Sequence, residues 1–191
     1  QAARIDAHLL NRQGVTRLCY CGPVLHTRPN GLGSREPLQF GAEIFGHAGL
    51  EADLEVQQLA LDALQAVGIG GLVIDLADAR VVRGVLAGLP IDAGQLQAVV
   101  AALSNKDAAA LQALARDFPP ATRDALQALL RLYGGEEVLQ EARRALPQRA
   151  VIGAALDDLE WLANHLARDH PGVRIGFDLS DMSGYAYYSG T

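Results

Sequence analysis

From Val81 to Leu146 the chain is dominated by Ala, Leu, Gln and Arg, with interruptions at Gly88 to Pro90, Pro119-Pro120, Gly134-Gly135 and Pro147. Strong helix formers broken at those intervals permit only short helices, four or five of them, packed on one another as a subdomain. The flanking segments have a different character. Thr16 to Leu25 is rich in β-branched, aromatic and thiol residues, and Pro37 to Phe45 alternates. The two are expected to pair as an antiparallel hairpin across the polar loop Thr27 to Arg35. Leu72 to Leu76 reads as a buried strand, Val173 to Leu179 as an alternating one, and Tyr185 to Tyr188 as an aromatic one. Residues 2 to 12 fit the end of an amphipathic helix closed by Gly14, and Asp53 to Ala66 and 151 to 168 fit two further helices.

The pattern predicts an α+β fold in which an antiparallel sheet flanked by helices is interrupted by a helical insertion. Residues 1–80 form the first part of the sheet domain, with the hairpin at 16–46; residues 81–150 form the insertion; residues 151–191 return to the sheet domain. The chain begins at Gln1 and stops inside an apparent strand, so an excerpt truncated at both ends is expected.

Half of the 191 residues are hydrophobic and 20% are charged, with a mean hydropathy of +0.11. That supports a real core and excludes disordered and collagenous classes. No apolar run reaches the roughly 18 residues that a membrane span needs. The 16 basic residues against 22 acidic ones give a net charge of −6, which argues against a broad nucleic-acid footprint. Lys106 is the only lysine, and Ser104-Asn105-Lys106-Asp107 is not a glycine-rich phosphate loop, so any phosphate handling falls to arginine. Cys19 and Cys21 are too far apart on an extended strand for a comfortable disulfide and read as reduced core thiols of a cytoplasmic protein.

On the second strand of the hairpin, period two places Arg35, Pro37, Gln39, Gly41 and Glu43 on one side and Leu38, Phe40, Ala42 and Ile44 on the other. The apolar side is expected to face the core. The polar side offers an amide and a carboxylate one above the other, with an unobstructed glycine between them, as a small polar ligand requires. A solvated sheet face would alternate in the same way, so the pattern alone leaves both readings open.

Two stretches carry a resemblance. Gly22-Pro23-Val24-Leu25-His26-Thr27-Arg28-Pro29, followed by Arg35-Glu36-Pro37-Leu38-Gln39-Phe40-Gly41-Ala42-Glu43-Ile44-Phe45-Gly46, resembles motif 2 of histidyl-tRNA synthetases, the hairpin on which class II synthetases bind ATP and the amino acid. Gly184-Tyr185-Ala186-Tyr187-Tyr188-Ser189-Gly190 is similar to their second histidine-binding signature. The resemblance implies a class II aminoacyl-tRNA synthetase-like fold over essentially the whole chain. It also implies that Glu43 and Tyr188 contact a histidine imidazole, Gln39 its α-amino group, and Tyr187 lies nearby. A carboxylate and a phenol suit a neutral imidazole, which has one donor and one acceptor nitrogen.

Two departures matter. Synthetases carry an arginine early in motif 2, where this chain has Leu25 or His26, and another before the glycine of the tyrosine signature, where it has Ser183. Losing one preorganised donor from such a site costs on the order of 10² to 10³ in rate, and no lysine stands nearby to compensate. A synthetase-like pocket without those arginines resembles the regulatory subunits of short-form ATP phosphoribosyltransferase, as do Arg4-Ile5-Asp6-Ala7-His8 and Gly31-Leu32. That resemblance implies no catalysis by this chain, no cofactor and no metal. It implies a catalytic-subunit partner, a synthetase-like dimer within a hetero-octamer, and histidine as feedback ligand, with neither nucleic acid nor membrane as a partner. An atypical histidyl-tRNA synthetase, or a synthetase-like module of another pathway, are the alternatives.

Arg28 and Arg35 bracket the loop as possible anion contacts. Asp75 and Asp78 suggest a metal pair less well than a helix start with an acidic cap. The five histidines form no i, i+4 pair. Asp157, Asp158 and Glu160 fit a helix N-terminus, and Trp161 and Tyr133 are expected to be core contacts.

Overall fold

The computed structural model describes residues 2–26 and 34–182. The chain forms two compact units, Gln1–Asp62 and Ala63–Thr191.

In the first unit, helix α1 (Ala2–Ile5) runs into a π-helical turn over Asp6–Leu10. Asn11, not Gly14, closes it. Asn11 adopts the left-handed conformation at φ 41° and its N–H donates to the Asp6 carbonyl, and asparagine is one of the few non-glycine residues that tolerates this region. Strands β1 (Thr16–Pro23) and β2 (Leu38–Phe45) pair antiparallel from Thr16 opposite Phe45 to Pro23 opposite Leu38. Val24 N–H to Pro37 carbonyl and His26 N–H to Arg35 carbonyl extend the ladder beyond the strands.

Helix α2 (Leu50–Ala66) faces the sheet across a shallow groove lined in part by Arg17, Cys19, Ala42, Ile44, Glu55 and Val56. The expected apolar face is therefore covered at one end only. Ala42 and Ile44 are half-buried beside α2, whereas Leu38 and Phe40, beyond its reach, are 73% and 62% exposed. Cys19 and Cys21 are free thiols, but both are exposed and not in a core; among the described residues β1 has β2 as its one strand partner.

The second unit is built on a three-stranded sheet in the order β3-β5-β4. Strand β3 (Val73–Leu76) runs parallel to β5 (Arg174–Asp178), and the short β4 (Tyr133–Gly134) pairs antiparallel on its other side. Five helices lie between β3 and β5 ahead of a long sixth: α3 (Ala79–Leu86), α4 (Ala93–Ser104), α5 (Ala108–Leu114), α6 (Pro120–Leu129), α7 (Glu137–Ala145) and α8 (Ala150–Asp169). Their breaks fall where glycine and proline predict, with one more at Asn105 to Asp107. Helix α3 packs on α8 and α6, α7 packs on α8, and α8 packs on β5. Val82, Val85, Leu126, Leu156, Leu166 and Phe177 are almost completely buried between them. Residues 81–150 thus share one core with α8 and β5.

Two expectations fail on edges. Among the described residues β3 is an outer strand, with Val73 51% exposed and, within the strand, only Leu76 at its end buried. Tyr133 belongs to β4 and is 60% exposed instead of packing in the core. No helix of the described residues is long and apolar enough to cross a membrane.

Candidate functional site

In an antiparallel pair, directly opposed residues project to the same face. Gln39 lies opposite Gly22, Gly41 opposite Tyr20 and Glu43 opposite Leu18, so these six share one side of the hairpin. The structure therefore places Gln39 and Glu43 on one side of the hairpin as the period predicts, and it adds Tyr20. The Tyr20 ring lies across Gly41, where an added Cβ would stand 2.6 Å from the phenol oxygen. Glycine is required here by a neighbouring ring and not by its own backbone. Gln39 Nε2 donates to Tyr20 Oη at 3.4 Å. Glu43 is half-buried and makes no hydrogen bond or ion pair among the described residues. The result is a carboxylate, an amide and a phenol on one face, able both to accept from and donate to a small polar ligand.

The described arginines of the hairpin, Arg17 and Arg35, are engaged elsewhere. Arg17 lies on the opposite side, in register with Ile44, and forms a two-pronged pair with Glu55 of α2, Nε to Oε1 at 2.6 Å and Nη2 to Oε2 at 2.8 Å. That bond raises the Arg17 pKa and lowers that of Glu55. Arg35 is exposed and its Nε donates to the His26 carbonyl at 3.4 Å. Arg28, Tyr187 and Tyr188, and the loop and aromatic strand that contain them, lie outside the described residues.

Asp78 caps α3, accepting from the Arg80 N–H at 2.7 Å, as the helix-start reading expects. Among the described residues no three His, Cys, Asp or Glu side chains are grouped as metal ligands. The acidic residues of α8 do more than favour its N-terminus. Asp158 binds Arg80 of α3 at 2.6 Å, and Asp157 and Glu160 bind Arg143 of α7 at 2.7 and 3.0 Å. Trp161 is half-buried and stacks on His165 with ring centroids 3.9 Å apart, so it is not part of the leucine core.

Sequence reasoning missed Tyr20, which period two on β1 alone places on a face but not beside Gln39. It also missed the role of Lys106, whose ammonium binds Asp178 at 2.6 Å and Ser180 at 2.5 Å.

The histidyl-tRNA synthetase family profile matches residues 1–191, the entire chain. This chain belongs to the histidyl-tRNA synthetase family. Within that family it is 61% identical over 192 residues to an ATP phosphoribosyltransferase regulatory subunit of Variovorax paradoxus and 56% identical to that of Albidiferax ferrireducens. Both alignments take in all of this chain but only 50% and 49% of the relative, so the chain spans about half the length of the curated relatives it matches.

A crystal structure from Bacillus halodurans C, described as an ATP phosphoribosyltransferase regulatory subunit/histidyl-tRNA synthetase, superposes with a TM-score of 0.83 at 25% identity, covering 99% of this chain and 50% of that one. Histidyl-tRNA synthetase from Nostoc sp. PCC 7120 gives 0.75 at 20% identity over 99% of this chain and 46% of that one. A chain of the ATP phosphoribosyl transferase complex from Thermotoga maritima gives 0.75 at 17%, covering 99% and 66%. The last two establish a shared fold. The histidyl-tRNA synthetase-like fold and the kinship with regulatory subunits, both implied by the motifs, are thereby established.

Proposed function

We propose that this chain is the synthetase-like portion of a non-catalytic regulatory subunit of short-form ATP phosphoribosyltransferase, acting in the cytoplasm in the first step of histidine biosynthesis. It binds a catalytic subunit within a hetero-octamer built on synthetase-like dimers and makes that subunit both active and sensitive to histidine. Gln39, Glu43, Tyr187 and Tyr188 hold the ligand, Arg28 and Arg35 serve as anion contacts, and residues 81–150 are a helical insertion in sequence between the synthetase-like stretches 1–80 and 151–191. Histidine favours one arrangement of the complex, and the catalytic partner responds through the shared interface.

The observation that carries this reading is the missing charge. The face bearing Tyr20, Gln39 and Glu43 has no lysine or arginine on its paired strand positions, and Arg17 is turned to the other side and bound to Glu55. Amino-acid activation develops negative charge on a phosphate and requires preorganised cations there. A neutral imidazole that offers a ring N–H to Glu43 requires none on that face. The names of the near relatives support the same reading.

Three measurements on the full-length protein test it. Mixed with a short-form catalytic subunit, it should co-elute and stimulate phosphoribosyl-ATP formation; the absence of both effects would overturn the function. Histidine-dependent ATP–pyrophosphate exchange should be absent, and its presence would restore the synthetase reading. Glu43→Gln keeps the shape but removes the charge-assisted bond, so histidine affinity should fall by about 1.5–3 kcal/mol. Unchanged affinity would move the site.

A further inference from the structure

Cys19 and Cys21 are both free thiols and both exposed, two positions apart on β1. Alternate residues of a strand project to one face about 7 Å apart, so the two thiols stand side by side along the strand. The pairing register completes that face, with Arg17 opposite Ile44, Cys19 opposite Ala42, Cys21 opposite Phe40 and Pro23 opposite Leu38. Among these side chains the two sulfurs are the only groups that can donate to a metal ion. A guanidinium has no lone pair to offer, and the others are hydrocarbon. Gln39 and Glu43 belong to the other side of the hairpin, and Glu55 of α2, which lines the same groove as Cys19, is held by Arg17 through both carboxylate oxygens.

Geometry separates what the pair can do. A disulfide needs Cα atoms within about 6.8 Å and sulfurs about 2 Å apart, which neighbouring same-face positions of an extended strand do not comfortably reach. A metal–thiolate bond is about 2.3 Å long, so one ion between two sulfurs spans about 4 to 5 Å, within reach when both side chains lean toward each other along the strand. The donor set then selects the ion. Zinc takes four ligands, and calcium and magnesium take oxygens, whereas a pair of thiolates with no further donor suits a soft ion such as Cu(I).

We propose that Cys19 and Cys21 form a two-thiolate site for a soft monovalent metal ion of the Cu(I) class. On binding, two S–H bonds break and two metal–sulfur bonds form, both protons pass to solvent, and no electron changes hands. The site lies on the face opposite the amide and carboxylate and does not depend on the function proposed above.

The test uses the full-length protein, reduced and kept anaerobic, competing for Cu(I) with the coloured bicinchoninate complex. The parent should withdraw an ion that Cys19→Ser and Cys21→Ser each hold more weakly by about tenfold or more, because a chelate needs both arms. Weakening in one variant only denotes a single thiol and overturns the proposal, as does full retention in both. An excess of Zn(II) should leave the ion in place; displacement denotes further ligands and overturns the two-coordinate assignment. A parallel measurement needs no variant. Alkylation of the folded parent by iodoacetamide, read peptide by peptide, should modify Cys19 and Cys21 in the metal-free protein and neither once Cu(I) is bound. Thiols that resist alkylation before the ion is added, or that stay reactive after it, overturn the proposal whether or not the serine variants fold.

Discussion

At Gly41 the hydrogen that stands in for a side chain lets the Tyr20 ring lie flat against the strand and meet Gln39. Gly41→Ala puts a methyl group where the phenol now sits. It is expected to destabilise the hairpin by about 1–3 kcal/mol and to weaken histidine binding, as checked by denaturation and titration, while Tyr20→Ala in the same background recovers the stability. The amide and the carboxylate on this face were legible from period two. Tyr20 was not, because its place depends on the register between two strands joined by a long loop. At Asp178, burial pulls the carboxyl upward, but the bonds from Lys106 and Ser180 outweigh it and hold its pKa below the ordinary value. A lowered folded pKa means stability that is complete above about pH 5 and is lost as pH falls through about 4 toward the folded value. Asp178→Asn should therefore flatten the acid side of the stability curve, measured by urea titration at a series of pH values, and a slope equal to that of the parent would contradict the assignment.

Among the elements, the first three helices after β3 owe their starts to aspartate. Asp78, Asp92 and Asp107 cap α3, α4 and α5 in turn, and Asp92 forms a reciprocal box with Gln95. Asp78 does double duty, since its carboxylate also grips the Arg80 guanidinium, with Nη2 to Oδ2 at 2.6 Å, and Arg80 bridges onward to Asp158. The bond to Asp78 is the main cause that raises the Arg80 pKa, against an opposing effect of burial. Asp78→Ala removes the cap and one partner of this part-buried cation, so a loss of about 1–3 kcal/mol in denaturant unfolding is expected. A loss below about 0.5 kcal/mol would show the bridge to be idle. Helix boundaries were legible wherever Gly or Pro marks them. The break at Asn105 to Asp107 carries neither, and the cap Asp107 looks like any other surface acid until the helix after it is known. Tyr133 failed as a core residue for the same kind of reason: two residues of strand are too few to show an alternation.

The second unit is one packed body, in which the insertion, α8 and the sheet share their apolar residues. It should unfold as one transition. Trp161, the sole tryptophan, sits on α8, so its fluorescence should change at the same denaturant concentration as the main loss of helical dichroism. Separate midpoints would show the insertion melting on its own. The parallel pairing that closes this unit was not legible, because nothing in Leu72 to Leu76 names a partner so distant. Val73 meets Arg174 across about a hundred residues of intervening chain. That separation has a kinetic side. Helix contacts are local and form early, whereas a pairing so far apart in sequence waits for a large loop to close. On the ribosome, β3 emerges long before β5 exists, so it must remain unmatched while six helices are translated, and the sheet can only be the last part of this body to assemble.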